Sequence, residues 1–181
     1  MIFGGFRVRN ILLAAAITVA GLLLAASIFH ITLLEGSLQK AVLSLPGVVS
    51  MTATPQGPQT VVAVSLGRVT DLRDTYTRLM DTVRNTLGDR PFSLVVRDNP
   101  DEALQEAYYE AHYAVEEAAV RGDFVSMREQ VDEIMLHKPG ITYRIYVEQD
   151  VILVQMTDAQ HYLYRVVPRQ RPAAGVNAGG Q

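Results

Sequence analysis

Polar and apolar positions follow three regimes along this chain, and the first has no polar period at all. From Ile11 to Phe29, 19 residues pass without a charge, and Ile31, Thr32, Leu33 and Leu34 extend the run. A hydrocarbon layer about 30 Å thick takes roughly 20 helical residues at about 1.5 Å each. The pattern therefore predicts one transmembrane helix over residues 11–34, with Ile11, Leu12, Leu13, Val19, Leu22, Leu23, Leu24, Ile28 and Phe29 as its anchor. A cleaved signal peptide is the competing reading, because Ala25-Ala26-Ser27 offers small residues to a peptidase. The apolar run continues past that point through Ile28, Phe29, Ile31 and Leu34, which favours a retained anchor.

From Glu35 the pattern alternates between helical and strand periods. Leu34, Leu38, Val42 and Leu45 fall at helical spacing, and Pro46-Gly47 ends that helix. Val48–Thr54 and Thr60–Leu66 are rich in β-branched residues and flank the turn cluster Pro55-Gln56-Gly57-Pro58, which predicts a hairpin with a four-residue connection. Leu72, Tyr76, Leu79, Met80, Val83 and Leu87 then form one apolar stripe, with Thr70 or Asp71 as N-cap and Gly88 as C′ glycine. Phe92–Val96 is a nearly continuous apolar run, and predicts a strand covered on both faces.

In the second half Asn99 is placed to cap a helix, with Pro100 at its first position and Asp101 and Glu102 in its first turn. Leu104, Ala107, Tyr108, Ala111, Val115, Ala118 and Ala119 mark its buried face. Gly122-Asp123 can break and recap it into a second helix carried by Phe124, Met127, Val131 and Ile134, ended by Pro139-Gly140. The two helices form either a hairpin or one kinked rod. Ile141, Tyr143, Ile145 and Val147 alternate with Thr142, Arg144, Tyr146 and Glu148, the period of a half-buried strand. Short turns at Gln149-Asp150 and Thr157–Gln160 make Val151–Met156 and His161–Val167 the rest of a three-stranded meander. Either this meander adds to the first sheet or it makes its own. From Pro168 the chain has little to bury, and residues 168–181 are expected to be a disordered tail.

The fold class is therefore α+β: an N-terminal transmembrane helix, an αββαβ unit over 35–98, and a helix pair with a β-meander over 99–167. The helix–strand–strand–helix–strand order of Leu38–Leu45, Val48–Thr54, Thr60–Leu66, Leu72–Leu87 and Phe92–Val96 resembles the ring-building-motif domains of bacterial secretion and sporulation membrane proteins. The resemblance is one of element order, over about a third of the chain. It implies an oligomeric or scaffolding role at a membrane. The elements after Asp98 depart from that pattern.

Charge adds an orientation. Arg7 and Arg9 are the only charges before Glu35, and only Lys40 follows closely, so the positive-inside rule places residues 1–10 in the cytoplasm and the C-terminal domain outside. The formal net charge is −3, and residues 35–181, with 14 basic and 19 acidic side chains, carry −5. That excess offers no general attraction for phosphate, and nucleic acid is not an expected partner. The absence of cysteine removes disulfides, thiolate metal sites and cysteine nucleophiles.

No phosphate-cradling glycine loop, nucleophile elbow or metalloprotease motif occurs, so no catalytic, cofactor-binding or metal residue is assigned. His30 falls at the outer end of the apolar run. His112 and Glu116 stand one helical turn apart, which is either a ligand pair or an ordinary surface pair, and two residues do not make a metal site. His137 suits a helix C-terminus, and His161 heads a strand as a surface residue. The tyrosines are more suggestive, because a tyrosine brings large apolar area with a polar tip to an interface. Tyr108, Tyr109 and Tyr113 on one helix, and Arg144 and Tyr146 on the outward face of the first meander strand, are the candidate interface.

The expected function is a non-enzymatic, membrane-anchored interaction or scaffold domain of a bacterial cell-envelope assembly, extracytoplasmic, with the bilayer and a protein partner or further copies of itself as partners, and no cofactor. A small-ligand-binding or sensory module using a cleft between the meander and the helix pair is the alternative, and an uncharacterised hydrolase comes third.

Overall fold

The computed structural model describes residues 36–170. A helix α1 over residues 36–43 leads into β1 (Val48–Gln56), β2 (Gln59–Leu66), α2 (Leu72–Leu87) and β3 (Phe92–Arg97). Then come α3 (Glu102–Arg121), α4 (Phe124–Leu136), β4 (Thr142–Val147), β5 (Val151–Thr157) and β6 (Tyr162–Pro168). Two three-stranded sheets result, ordered β1-β2-β3 and β4-β5-β6. β2 pairs antiparallel with β1 and parallel with β3, whereas the second sheet is antiparallel throughout. The meander thus makes its own sheet. It meets the first at an antiparallel bridge between Asn99 and Tyr162.

The second sheet is the middle layer, and its side-chain alternation shows why. Ile152, Val154 and Met156 of β5, with Leu163 and Val167 of β6, pack against Leu104, Ala107, Ala111, Val115 and Val131 of the helix pair. The intervening residues Leu153 and Tyr164 face the other way, into a core shared with Leu38 and Val42 of α1, Leu79 and Val83 of α2, and Met51, Val62 and Val64 of the first sheet. Helix α2 is therefore covered from two sides by apolar surface. A strand buried on both faces reads as a continuous apolar run, and β5 (Val-Ile-Leu-Val-Gln-Met-Thr) has that character.

A polar seam joins the halves. The Tyr164 hydroxyl accepts from Val69 N at 2.9 Å and donates to Gly67 O at 3.1 Å. Gln155, 6% exposed, accepts from Leu72 N at 3.0 Å and donates to Val69 O at 2.9 Å. The segment between β2 and α2 takes its partners from the meander, since buried backbone groups need them.

Several expectations need correction. Among the described residues no helix is long and apolar enough to cross a membrane. The 20-residue α3 is long enough, but Glu102, Glu106, Glu110, Glu116, Glu117 and Arg121 break its apolar surface. This stands against the expected transmembrane helix and the single-pass, signal-anchor and extracytoplasmic placement built on it. The anchor residues Ile11, Leu12, Leu13, Val19, Leu22, Leu23, Leu24, Ile28 and Phe29, and the topology residues Arg7 and Arg9, lie outside the described residues, as do residues 171–181.

The hairpin is tighter than expected. β1 runs through Pro55 to Gln56, which pairs with Gln59, leaving a two-residue turn. Gly57 holds φ +60° at its first position. Pro58 cannot follow with positive φ, so the turn has the type II′ pattern. Proline is tolerated at Pro55 because β1 is an edge strand. β3 is an edge strand too, with Val95 42% exposed, so it is not covered on both faces. The N-cap of α3 is Asp101, whose Oδ1 accepts from Leu104 N at 2.9 Å, because Asn99 is engaged by Tyr162. Pro168 belongs to β6, and Arg169 N and Gln170 N donate to Asp150 O and Ala119 O, so the ordered chain passes the expected start of the tail.

Gly47 sits at φ +86°, and a Cβ there would stand 2.7 Å from Cγ1 of the buried Val69. Gly47→Ala is expected to destabilise the protein by about 2 kcal/mol, summing left-handed strain and the collision. Urea unfolding measures it as a lower midpoint at unchanged slope.

Candidate functional site

Helix α3 is held at both ends and buried along one face. Asp101 caps its start, and Gly122, at φ +78°, closes it with an N–H donated to Ala118 O at 2.8 Å. Asp123 then caps α4 through Ser126 N at 3.1 Å, so Gly122-Asp123 breaks and restarts the helix as expected from the sequence. Lys138 beyond α4 reaches back to Glu110 at 2.6 Å, which makes the pair an antiparallel hairpin. The inward face is rich in alanine (Ala107, Ala111, Ala114, Ala118, Ala119), which lets the neighbouring layers approach closely.

That burial leaves an aromatic face pointing outward. Tyr109 and Tyr113, one turn apart, are 58% and 63% exposed. Their rings meet edge-on, with centroids 6.1 Å apart and planes at 73°. His112 lies between them, 5.3 Å from the Tyr109 ring and 3.8 Å from the Tyr113 ring. His112 Nδ1 contacts the Tyr109 carbonyl. A hydrogen bond with the Tyr109 hydroxyl pushes the Tyr113 phenol above its ordinary pKa. Three rings in mutual contact make an apolar surface tipped with phenol and imidazole groups.

The other interface candidates are placed differently. Tyr108 is half-buried against the helix-pair core. The Arg165 guanidinium sits 5.3 Å over its ring and pairs with Asp98 at 2.6 Å. Burial raises the Tyr108 pKa, Glu116 raises it further, and Arg165 opposes both. Tyr146 packs against the core shared by the two sheets, so what was read as the outward face of β4 is covered by the first unit. Arg144 is exposed, and donates to Thr70 O at 3.3 Å. Between meander and helix pair, Ile152, Val154, Met156, Leu163 and their helical neighbours pack together, and an open cavity of about 650 Å³ stands between α4 and β4, lined by Asp132, Met135, Ile141 and Tyr143 among others.

Of the histidines, His30 lies outside the described residues. His137 is the C-cap residue of α4, its Nδ1 3.1 Å from Glu133 O. His161 is not a simple surface residue. It stands between Asp101 and Asp158, its Nδ1 3.5 Å from a carboxylate oxygen of each. Asp158, three positions before it, is a visible local signal for a turn. Asp101 is remote in sequence, and only the fold brings it there.

No known family, curated protein or solved structure matches the chain.

Proposed function

We propose that this chain is a non-enzymatic interaction domain, a scaffold component that engages a protein partner or another copy of itself through the Tyr109–His112–Tyr113 face of α3. One observation carries the reading. Tyr146 and Tyr164 spend their rings on the core, whereas Tyr109 and Tyr113 are more than half exposed on a helix whose own packing is complete without them. Exposed aromatic clusters of this kind are what interface centres are built from. The αββαβ order of residues 36–97, which resembles ring-building-motif domains, adds self-association to the expectation. The non-enzymatic part rests on the sequence, which carries no phosphate-cradling glycine loop, nucleophile elbow or metalloprotease motif.

The test is Tyr109→Ser with Tyr113→Ser in the full chain. Exposed substitutions change stability by only about 0.5 kcal/mol, so the melting temperature should hold. Association, followed by sedimentation for self-assembly and by crosslinking for partners, should weaken at least about tenfold, as removal of a hot-spot residue does. A double variant that sediments and crosslinks like the unaltered chain would refute the proposal.

A further inference from the structure

The face on α3 leaves one cluster of side chains unexplained, at the end of the molecule where the start of α3, the residues after α4 and the β5–β6 turn meet. We propose that Asp101, Asp158 and His161 form a binding site for a divalent transition ion of the zinc class, which goes beyond the interaction role. His161 Nδ1 lies 3.5 Å from Asp101 Oδ2 and 3.5 Å from Asp158 Oδ2, and the three donor atoms fall within 4.8 Å of one another. An ion held at about 2.1 Å in tetrahedral geometry sets its ligand atoms about 3.4 Å apart. The two sides of the triangle that meet at His161 Nδ1 have that dimension.

The donor atoms are also held in place. Asp101 Oδ1 is occupied by Leu104 N at 2.9 Å, and Asp158 Oδ1 by Gln160 N at 2.7 Å and His161 N at 2.5 Å. Each carboxylate therefore turns its other oxygen toward the imidazole. Such outer contacts are what fix first ligands at a metal. Arg68 holds the turn by donating to the main-chain carbonyls of Asp158 at 2.8 Å and His161 at 3.1 Å. Among the described residues no lysine or arginine forms an ion pair with either carboxylate, so an ion seated at His161 Nδ1 would meet two anionic oxygens with no competing lysine or arginine.

An open cavity of about 570 Å³ borders the triad, with Glu106 and His137 also in its wall. The lysine in that wall, Lys138, is committed to Glu110. The cavity has room for water to complete a tetrahedron. Two carboxylates with one imidazole suit zinc, cobalt or manganese rather than soft copper(I), which prefers sulfur. The binding form has neutral His161 with its proton on Nε2.

Cobalt(II) titration of the untagged full chain, followed by visible absorption and by competition with zinc, tests the site. One cobalt per chain is expected, displaced by zinc. His161→Ala and Asp158→Asn should each weaken binding at least about tenfold. The asparagine keeps the oxygen that accepts from Gln160 and His161, so the turn survives. Should His161→Ala unfold the chain, Asp101→Asn, which keeps the helix cap, replaces it. His112→Ala, on the aromatic face, should leave the titration unchanged. No saturable cobalt binding by the unaltered chain, or binding that the triad variants do not weaken, overturns the proposal. Neither result touches the tyrosine face, whose test reads association.

Discussion

Gln155→Leu is expected to destabilise the protein by about 3 kcal/mol, more than its near-neutral change in volume suggests. The side chain is 6% exposed, and both ends of its amide are used. Oε1 receives Leu72 N at 3.0 Å, and Nε2 donates to Val69 O at 2.9 Å. Leucine fills the space and supplies neither partner. A buried donor and a buried acceptor are then stranded, at about 1–3 kcal/mol each. Leu72 N belongs to the first turn of α2, where no backbone partner within the helix exists. Gln155→Glu keeps an acceptor for Leu72 N but sets a buried carboxylate against Val69 O, and should cost at least as much. Tyr164→Phe removes the neighbouring pair of bonds, to Val69 N and Gly67 O. Urea unfolding followed by tyrosine fluorescence reads all three. A loss below about 1 kcal/mol for Gln155→Leu would mean that the 67–71 segment finds other partners, and the seam would not be what joins the halves.

That seam also explains which parts of the fold could be read from the chain. Local signals were legible. Asp71, the stripe from Leu72 to Leu87 and Gly88 bound α2 as they stand in the structure, and Gly122-Asp123 breaks and recaps the helix pair. Each involves residues within a turn or two of one another. What failed involved partners far along the chain. Asn99 has the features of a cap, but Tyr162, 63 positions on, takes its backbone, and Asp101 caps instead. The apolar run Phe92–Val96 suggested two covered faces, and the strand order puts it at an edge. The alternation in β4 marked one face as outward without showing that the first unit would cover Tyr146. The same limit applies to the candidate sites. The spacing of Tyr109 and Tyr113 was visible, and their exposure was not. Asp158 and His161 are neighbours in sequence, while Asp101 reaches them only through the fold, beside the Asn99–Tyr162 bridge. The apolar run of residues 11–34 predicted a membrane span, and the described helices contain none.

Leu79→Ala is expected to cost about 3 kcal/mol and to lower the stability of both sheets together. Leu79 is fully buried at the centre of α2, and alanine is at least as good a helix former, so the loss comes from the cavity left behind. The core that Leu79 belongs to is drawn from both halves: Val62 and Val64 from the first sheet, Leu153 and Tyr164 from the second. If the layers fold as one unit, amide exchange in β2 and in β5 should accelerate by the same factor, about a hundredfold for that loss. Val131→Ala removes packing from the other core, between helix pair and meander, and should also be felt in β2. A chain built of two independent units would behave otherwise. Leu79→Ala would then speed exchange in β2 and leave β5 untouched, while Val131→Ala would do the reverse. The double-sided burial of β5 argues for the single unit, because removing either layer would expose one apolar face of that strand to water.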